Sequence, residues 1–576
     1  AARTALAAKR WDAAEAELDA CLDTDSEDWL AHDLLGDVAQ ARGDQRLAAS
    51  HRARAVSANA RDINLQKKFL QTAGGQKYST HDADIEAAMA ICLANEAIAS
   101  LAGADPLWVW TLRQRPGFDA LFQKVSNPRF FQPRKNPFYA CPDLRPLLDS
   151  YFQQGVRKIL ICWLQFETFL TFLRAFLLDQ YFAAQPRLST DEQRVLAVTL
   201  ALYCFRTDYI FHITPSEQRQ LALLQEMVAK GTADARALAV LACYQPLHTL
   251  PNRAAVAALL RATPDLQPLA AQLQAYEALQ SGMARIECLF PVQDETSRKV
   301  QAQYEDFPYP RWTHLEDFAN PLLPAESQHL AKAGKSLLIA GCGTGLQPCL
   351  MARQFPYSKI LAIDLTAASL AYAQSQAQAL GFTNITFRQA DILALDQYNE
   401  TFDYVSCFGV LHHMADPELG WQKLMTRLKP EGLMEIGLYS RHARRVVTTG
   451  RARIAQLKIP PTPEGMRAFR RKSRQLFYPR DYATLTNWFD YFSLNMYRDL
   501  LFHAHEDHFD IPRIQRALDK LGLVFAGFKL PEATLAAYRE RFPDDSALLN
   551  LAHWQAFEAA QPDSFGACYR FLCRRA

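Results

Sequence analysis

Lys335 to Gly345, KSLLIAGCGTG, is the stretch that decides the fold. Its unbroken apolar run ahead of a glycine-rich segment predicts a buried strand that ends in a tight turn. At that turn Gly341, Gly343 and Gly345 would let the backbone come close to a nucleotide-like ligand. A second apolar strand, KILAID, closes on Asp364, nineteen residues after Gly345. Doubly wound sheets place a carboxylate for ribose hydroxyls there. A third strand, ITFRQADI, ends at Asp391 and Ile392, and a fourth, FDYVSCFGVLHHM, runs through Phe408 and Gly409 into His412 and His413. A lone Gly-x-Gly-x-Gly also occurs in dehydrogenases and in chance loops. Here the turn is GCGTG rather than GxGxxG, and nicotinamide enzymes have no need of the Asp391-Ile392 and FGVLHH that follow.

The series resembles the class I S-adenosylmethionine-dependent methyltransferases. The resemblance implies an α/β fold, a seven-stranded sheet in the C-terminal part of the chain behind an all-α region. LMEIGLYS looks like its fifth strand, and GLVFAGFKL and SFGACYRFLCRR look like the terminal antiparallel hairpin, whose seventh strand lies between the fifth and sixth. S-adenosylmethionine is the implied cofactor. By resemblance Gly341, Cys342, Gly343, Thr344 and Gly345 form its turn, Asp364 takes both ribose hydroxyls, Leu365 and Ile392 flank the adenine, and Asp391 accepts from the exocyclic amine. Phe408 and Gly409 complete that set. One position departs from the pattern: an acid usually stands two residues before the first glycine, and here it is Ile339. The ammonium end of the cofactor then needs another partner.

A chain of 576 residues is too long for one core and predicts several units. Lysine plus arginine number 63 against 61 acids, so no global basic surplus exists to hold a polyanion, and nucleic acid is not an expected partner. The twelve cysteines contain no C-x-x-C pair, which argues against structural zinc and a disulfide scaffold and for a reducing cytoplasm. The most apolar stretch, Ile159 to Leu178, is interrupted by Gln165, Glu167 and Arg174, so no membrane span is expected. The chain begins at Ala1 without methionine and shows no signal peptide.

Residues 1–70 are alanine-rich and helical. Leu35-Gly36, Ala48 and Ala55, with Trp11-Asp12-Ala13-Ala14 one period earlier, resemble one complete and one truncated tetratricopeptide repeat. An ordinary helical hairpin with a tight alanine interface is the plainer reading. Residues 71–299 read as a helical middle domain, with amphipathic runs at Asp84 to Leu101 and Arg194 to Phe211. Phe166, Phe169, Phe172 and Phe176 fall at helical spacing and read as core. Residues 300–314 form a linker, and 315–576 the methyltransferase-like domain, with helical insertions at about 441–521 and 531–562.

The linker, VQAQYEDFPYPRW, packs aromatics and stiffening prolines into a short run. Similar segments occur in bacterial proteins that join tetratricopeptide repeats to a C-terminal methyltransferase, and the chain resembles these over most of its length. Tyr304, Tyr309, Arg311 and Trp312 are therefore expected as a lid, with Tyr304, Tyr309 and Arg311 on the cofactor, Arg311 at its carboxylate, and Trp312 facing the substrate. A structural strap is the alternative.

Methyl transfer from a sulfonium chiefly requires alignment and desolvation of the nucleophile. His412 and His413 are the expected catalytic residues, one of them as base for a protonated acceptor. No Asn/Asp-Pro-Pro-Tyr motif is present, which disfavours nucleobase and glutamine amide nitrogens. Tyr439 and, within RDLLFHAHEDHF, His503, His505 and Glu506 are expected at the substrate. No metal is expected, because H-E-x-x-H spacing is absent. The helical domains suggest capture of a protein or peptide amine such as lysine. A small-molecule or glycan-intermediate acceptor, with the helices serving a homodimer, is the alternative, and a scaffold with a degenerate cofactor site is a third.

Overall fold

The computed structural model describes residues 1–576 except 77, 79, 99, 100, 102, 127–135, 306, 307, 309–311, 313, 314, 316–331 and 333. The chain divides into two compact units, Ala1–Leu273 and Gln274–Ala576.

The first unit is helical. Helices Trp29–Ala41 and Gln45–Ala58 pack closely around Gly36, where a Cβ would meet Arg52 Cγ at 2.9 Å. Asp28 and Asp44 cap these helices by accepting from backbone amides of their first turns. Ala48 and Ala55 are fully buried beside them. The run expected from Asp84 to Leu101 is helical only over Ala83–Ala94, because the Asn95 side chain accepts from the Ala97 amide and turns the backbone out. The run expected to reach Phe211 stops at Arg206, ahead of Asp208 and Tyr209, both with positive φ. Phe166, Phe169 and Phe176 are fully buried among Phe118, Phe122, Phe138 and Phe152, while Phe172 is half-buried. Among the described residues, no helix is long and apolar enough to cross a membrane.

The second unit holds one seven-stranded sheet: β1 (Ser336–Ala340), β2 (Lys359–Asp364), β3 (Ile385–Gln389), β4 (Phe402–Phe408), β5 (Leu428–Tyr439), β6 (Leu523–Phe528) and β7 (Cys568–Arg575). Their order is β3-β2-β1-β4-β5-β7-β6. The first five strands run parallel, and β7 is antiparallel to both β5 and β6. Strand side chains alternate between two cores: Leu338, Val405 and Ile436 enter one, and Leu337, Ile339 and Tyr404 the other. The strand order reverses between β1 and β4, so a crevice opens beyond their carboxyl ends.

Helix α1 (Glu295–Glu305) precedes the sheet, α2 (Leu346–Gln354) follows β1, α3 (Ala367–Ala379) follows β2, and α4 (Pro417–Thr426) precedes β5. Between β5 and β6 lie α5 (Arg445–Gln456), α6 (Pro463–Leu476), α7 (Pro479–Thr486), α8 (Leu494–Leu501) and α9 (Ile511–Leu521). The last packs against β6 and α4, directly on the sheet layer. Helices α10 (Glu532–Arg541) and α11 (Leu551–Ala560) separate β6 from β7. The segment expected as a linker begins inside α1, since Val300 to Glu305 is its closing turn.

Candidate active site

A cavity of about 650 Å³ opens at the β1/β4 switch. One end of it is built from backbone. The chain leaves β1 and turns through Gly341, Gly343 and Gly345, with φ of 71°, 51° and 85°. The amides of Gly341 and Cys342 both donate to the Ile363 carbonyl, at 2.8 and 2.9 Å, which ties the turn to β2. Two of the glycines are required by packing as well as by φ. A Cβ on Gly341 would lie 2.2 Å from Val410 Cγ2, and one on Gly345 would lie 2.5 Å from the Ala373 Cβ of α3. Close approach of a ligand is thus not the only reason for these glycines. Thr344 is buried and its carbonyl accepts from the Trp312 indole at 2.9 Å. Trp312, expected at the substrate, is instead buried beneath this turn, and its own carbonyl accepts from Tyr372.

Asp364 ends β2 inside the cavity. Its carboxylate accepts from the Gly343 amide at 2.8 Å and from the amide and hydroxyl of Thr366 at 3.0 and 2.9 Å. Burial pushes it above the usual carboxylate range against these bonds. Leu365, Asp391, Ile392, Phe408, Gly409 and Cys342 line the same space. Burial also raises Asp391, which accepts from the Leu393 amide at 2.9 Å and from Ser297. A Cβ on Gly409 would meet nothing within 4 Å. Two buried carboxylates, the side chains of Leu365 and Ile392, and open space at Gly409 thus line one cavity.

Helix α1 closes this side. Ser297, Val300 and Tyr304, at i, i+3 and i+7, present one face to the cavity, and Gln301 donates to the Leu365 carbonyl at 2.9 Å. Tyr304, expected on the cofactor, bonds through its hydroxyl to Asp499 and lies 3.1 Å from His503 Nε2. Tyr309 and Arg311 lie outside the described residues.

The other end is built from side chains of separate segments. The turn Leu411–His413 sends the two histidines in different directions. His413 lines the cavity. His412 is fully buried and does not line it; its Nδ1 accepts from the Tyr439 amide at 3.3 Å and its ring stacks on Tyr439 at 3.7 Å. Tyr439 faces the cavity with the Arg444 guanidinium 3.8 Å over its ring.

His413 and His503 stack at 3.6 Å, and the Nδ1 of each meets the His505 carbonyl, at 2.8 and 2.6 Å. A carbonyl only accepts, so His413 carries its proton on Nδ1 and offers Nε2 as an acceptor; His503 Nδ1 also lies 3.2 Å from the His505 amide, and the shorter contact to the carbonyl assigns its proton to Nδ1 as well. Burial holds His413 down at about 3 and His503 at about 4, and both are neutral at neutral pH. Burial raises Asp499 above the usual range. His505 thus contributes its backbone rather than its ring. Glu506 contacts no cavity atom; it is fully buried against Arg444 and His508, at 2.6 and 2.7 Å.

Asp499 was missed in the sequence, although it stands only four residues before His503, which follows the end of α8 at Leu501. Ligand atoms of His413, Asp499 and His503 lie within 4.8 Å of one another, which the search for H-E-x-x-H spacing had no means to find. Here Asp499 and His503 are joined through Tyr304. Also missed was Glu435 of β5, buried against Tyr404, Lys529 and Arg570. Arg570 reaches the cavity over the Phe408 ring, 5.4 Å from its centroid.

Residues 331–458 match the family described as "Methyltransferase domain". An uncharacterised protein of Synechococcus sp. is 27% identical over 270 residues, covering 43% of this chain and 63% of that one. A ubiquinone biosynthesis O-methyltransferase of Paracidovorax citrulli is 30% identical over 142 residues, 23% of this chain and 59% of the relative. The chain thus spans less than two thirds of either relative. Among solved structures, PKMT2 of Rickettsia typhi aligns with 13% identity and a TM-score of 0.36, over 46% of this chain and 54% of that one. With the strand order and the glycine turn, the family match defines a class I S-adenosylmethionine-dependent methyltransferase domain. The chain carries that domain in its C-terminal unit.

Proposed function

We propose that the chain transfers a methyl group from S-adenosylmethionine to an amine of a protein or peptide, with lysine as the acceptor side chain. The observation that carries this reading is the hydrogen-bond chain from Asp499 through Tyr304 to His503. It contains two bonds and a single phenol proton. With Asp499 ionised and His503 protonated only on Nδ1, the chain is one proton short. It is therefore built to take up a proton, and an entering ammonium brings one.

S-adenosylmethionine, when bound, supplies a methyl group on a sulfonium, ready for in-line displacement. Asp364 and Asp391 would hold its ribose and adenine, with the apolar side chains of Leu365 and Ile392 on the base. The buried Asp499 carboxylate draws in the ammonium, and Tyr439 and Phe408, which line the cavity, wall its alkyl stem. The ammonium proton passes to Asp499 and is shared along Tyr304 and His503. His413 Nε2 accepts a hydrogen bond from a remaining N–H and so turns the nitrogen lone pair toward the methyl group. The C–N bond forms as the S–C bond breaks, and the electron pair of the broken bond stays on sulfur. The apolar walls exclude water from the path.

The ubiquinone biosynthesis relative favours a second reading, in which a hydroxyl is the acceptor and gives its proton to the same chain. Incubating the protein with methyl-labelled S-adenosylmethionine, a lysine peptide and a catechol tests both. Label on the lysine ε-nitrogen supports the first reading, and label on the catechol oxygen alone replaces it with the second.

A further inference from the structure

Helices α5 to α8, ahead of the acids Glu506, Asp507 and Asp510 that close the segment before α9, carry a charge that the chain's overall balance conceals. Residues 441–501 contain thirteen lysines and arginines against four acids, a net of +9 in a chain whose net charge is +2. The remainder of the chain is therefore net acidic, at −7. Some of the cations are engaged locally. Arg444 pairs with Glu506, Arg445 with Asp481 and Arg441 with Asp510, and Arg470 stacks on Tyr491. Arg453, Lys458, Lys472, Arg474 and Arg480 remain exposed. Tyr478, 77% exposed, lies between Arg474 and Arg480 in the chain.

Helix α6 shows how the face is made. It buries Gly465, Met466, Phe469 and Ser473 inward and turns its basic side to solvent. A charged outer face is ordinary for a surface helix, but so one-sided a balance is not, and it repels itself unless a counter-charge covers it. Its place in the fold adds a second observation. α6 packs on α8, and α8 carries Asp499 into the cavity. The basic face and the acceptor end thus belong to one small helical cluster.

We infer that this face docks an acidic segment of polypeptide adjoining the methyl acceptor. The inference rests on the amine-acceptor reading above. A membrane fits less well, because the apolar side of α6 is buried and none is left for lipid. Nucleic acid fits less well too, because the acceptor end offers a buried carboxylate, which attracts an ammonium and repels phosphate. A cavity of about 650 Å³ that must also take the cofactor suits an alkylamine better than a flipped base.

The test is fluorescence anisotropy with a labelled twelve-residue Glu-Gly repeat that lacks lysine, on the full chain and on Lys472→Glu/Arg474→Glu/Arg480→Glu. Retained S-adenosylmethionine binding shows that the variant is folded. The expected result is binding to the wild type that weakens about tenfold or more in the variant and with rising salt, while a Gln-Gly repeat does not bind. Equal binding by the variant, equal binding of the Gln-Gly repeat, or tighter binding of a twelve-nucleotide RNA would overturn the inference. A lysine-containing version of the acidic peptide separates the two readings. If it docks but takes no label, the amine reading fails and the docking face stands; if it is labelled equally by both proteins at low peptide concentration, the amine reading stands and the docking face fails.

Discussion

The two ends of the cavity are made in different ways. At the Gly341–Gly345 turn the surface is backbone, fixed by one strand-turn-helix unit and by the neighbouring Asp364. At the opposite end it is side chain, contributed by α1, the turn after β4, the end of β5 and the α8 region. The first end is local in sequence, and the second exists only once distant segments converge. Binding of the cofactor should therefore survive changes that abolish transfer.

The largest effect is expected at His413. His413→Ala should lower the transfer rate by about a hundredfold, because the acceptor nitrogen loses the hydrogen bond that aligns it, with S-adenosylmethionine affinity within about twofold of wild type by calorimetry. His412→Ala should instead lower the melting temperature, since it removes the partner of the Tyr439 amide and ring. If His412→Ala loses the rate and His413→Ala does not, the two histidines have been assigned the wrong way round.

Asp364→Asn is the counterpart at the backbone end. Loss of a charged acceptor for the ribose should weaken S-adenosylmethionine by about ten- to a hundredfold, with no change in rate at saturating cofactor. Asn keeps one oxygen, for the Thr366 amide and hydroxyl, but sets its NH2 against the Gly343 amide, so a melting curve accompanies the affinity measurement to separate loss of the turn from loss of the ribose contact. An unchanged dissociation constant would remove Asp364 from the site.

Gly341→Ala probes the turn itself. A methyl group would run into Val410 at a backbone φ of 71°, so a stability loss of about 1–3 kcal/mol is expected in denaturant titration. A variant as stable as wild type would mean that the turn adjusts and that Gly341 serves the ligand alone.

Two pH effects are smaller. Burial works against ionisation of Glu506, yet the bonds from His508 and Arg444 prevail and hold its carboxyl at about 2. Its folded pKa is thus depressed, so its contribution to stability is complete above the ordinary glutamate range and is lost as pH falls toward 2. Hydrogen exchange should show the region around α5 and α8 loosening over that interval, and Glu506→Gln should flatten the dependence. His413 stays neutral down to about 3, so the pH-rate profile should have no histidine limb near 6.5. The acid limb should follow Asp499, above the usual carboxylate range. A limb near 6.5 that disappears in His413→Gln would contradict the burial assigned to that ring.

The same contrast explains what was legible in the sequence. The strands, the glycine turn and Asp364 could be read because each is set by residues close in the chain, and a buried strand followed by glycines has few other uses; the place of the seventh strand came only by resemblance. Asp499 could not, because nothing near it in sequence marks it; its partners Tyr304 and His413 stand far off, and its neighbour His503 was sought under a different spacing. The two histidines looked equivalent because only the turn at Leu411–His413 sends one inward to Tyr439 and the other to the cavity. Trp312 read as a substrate contact because an aromatic ahead of the first strand suits a lid, and the fold uses it instead to brace Thr344. The basic insertion escaped notice because net charge was taken over the whole chain, where an acidic remainder cancels it.

In the proposed mechanism the Asp499 end accepts the proton of an amine and the glycine-turn end does not take part. Single-turnover transfer of labelled methyl to a lysine peptide, at saturating S-adenosylmethionine, compares wild type with Asp499→Asn most directly. The expected result is label on the ε-nitrogen, a rate at least about a hundredfold slower in the variant, and rate recovery as pH rises and the peptide arrives already deprotonated. Equal rates in the two proteins, or a loss that no rise in pH restores, would contradict it.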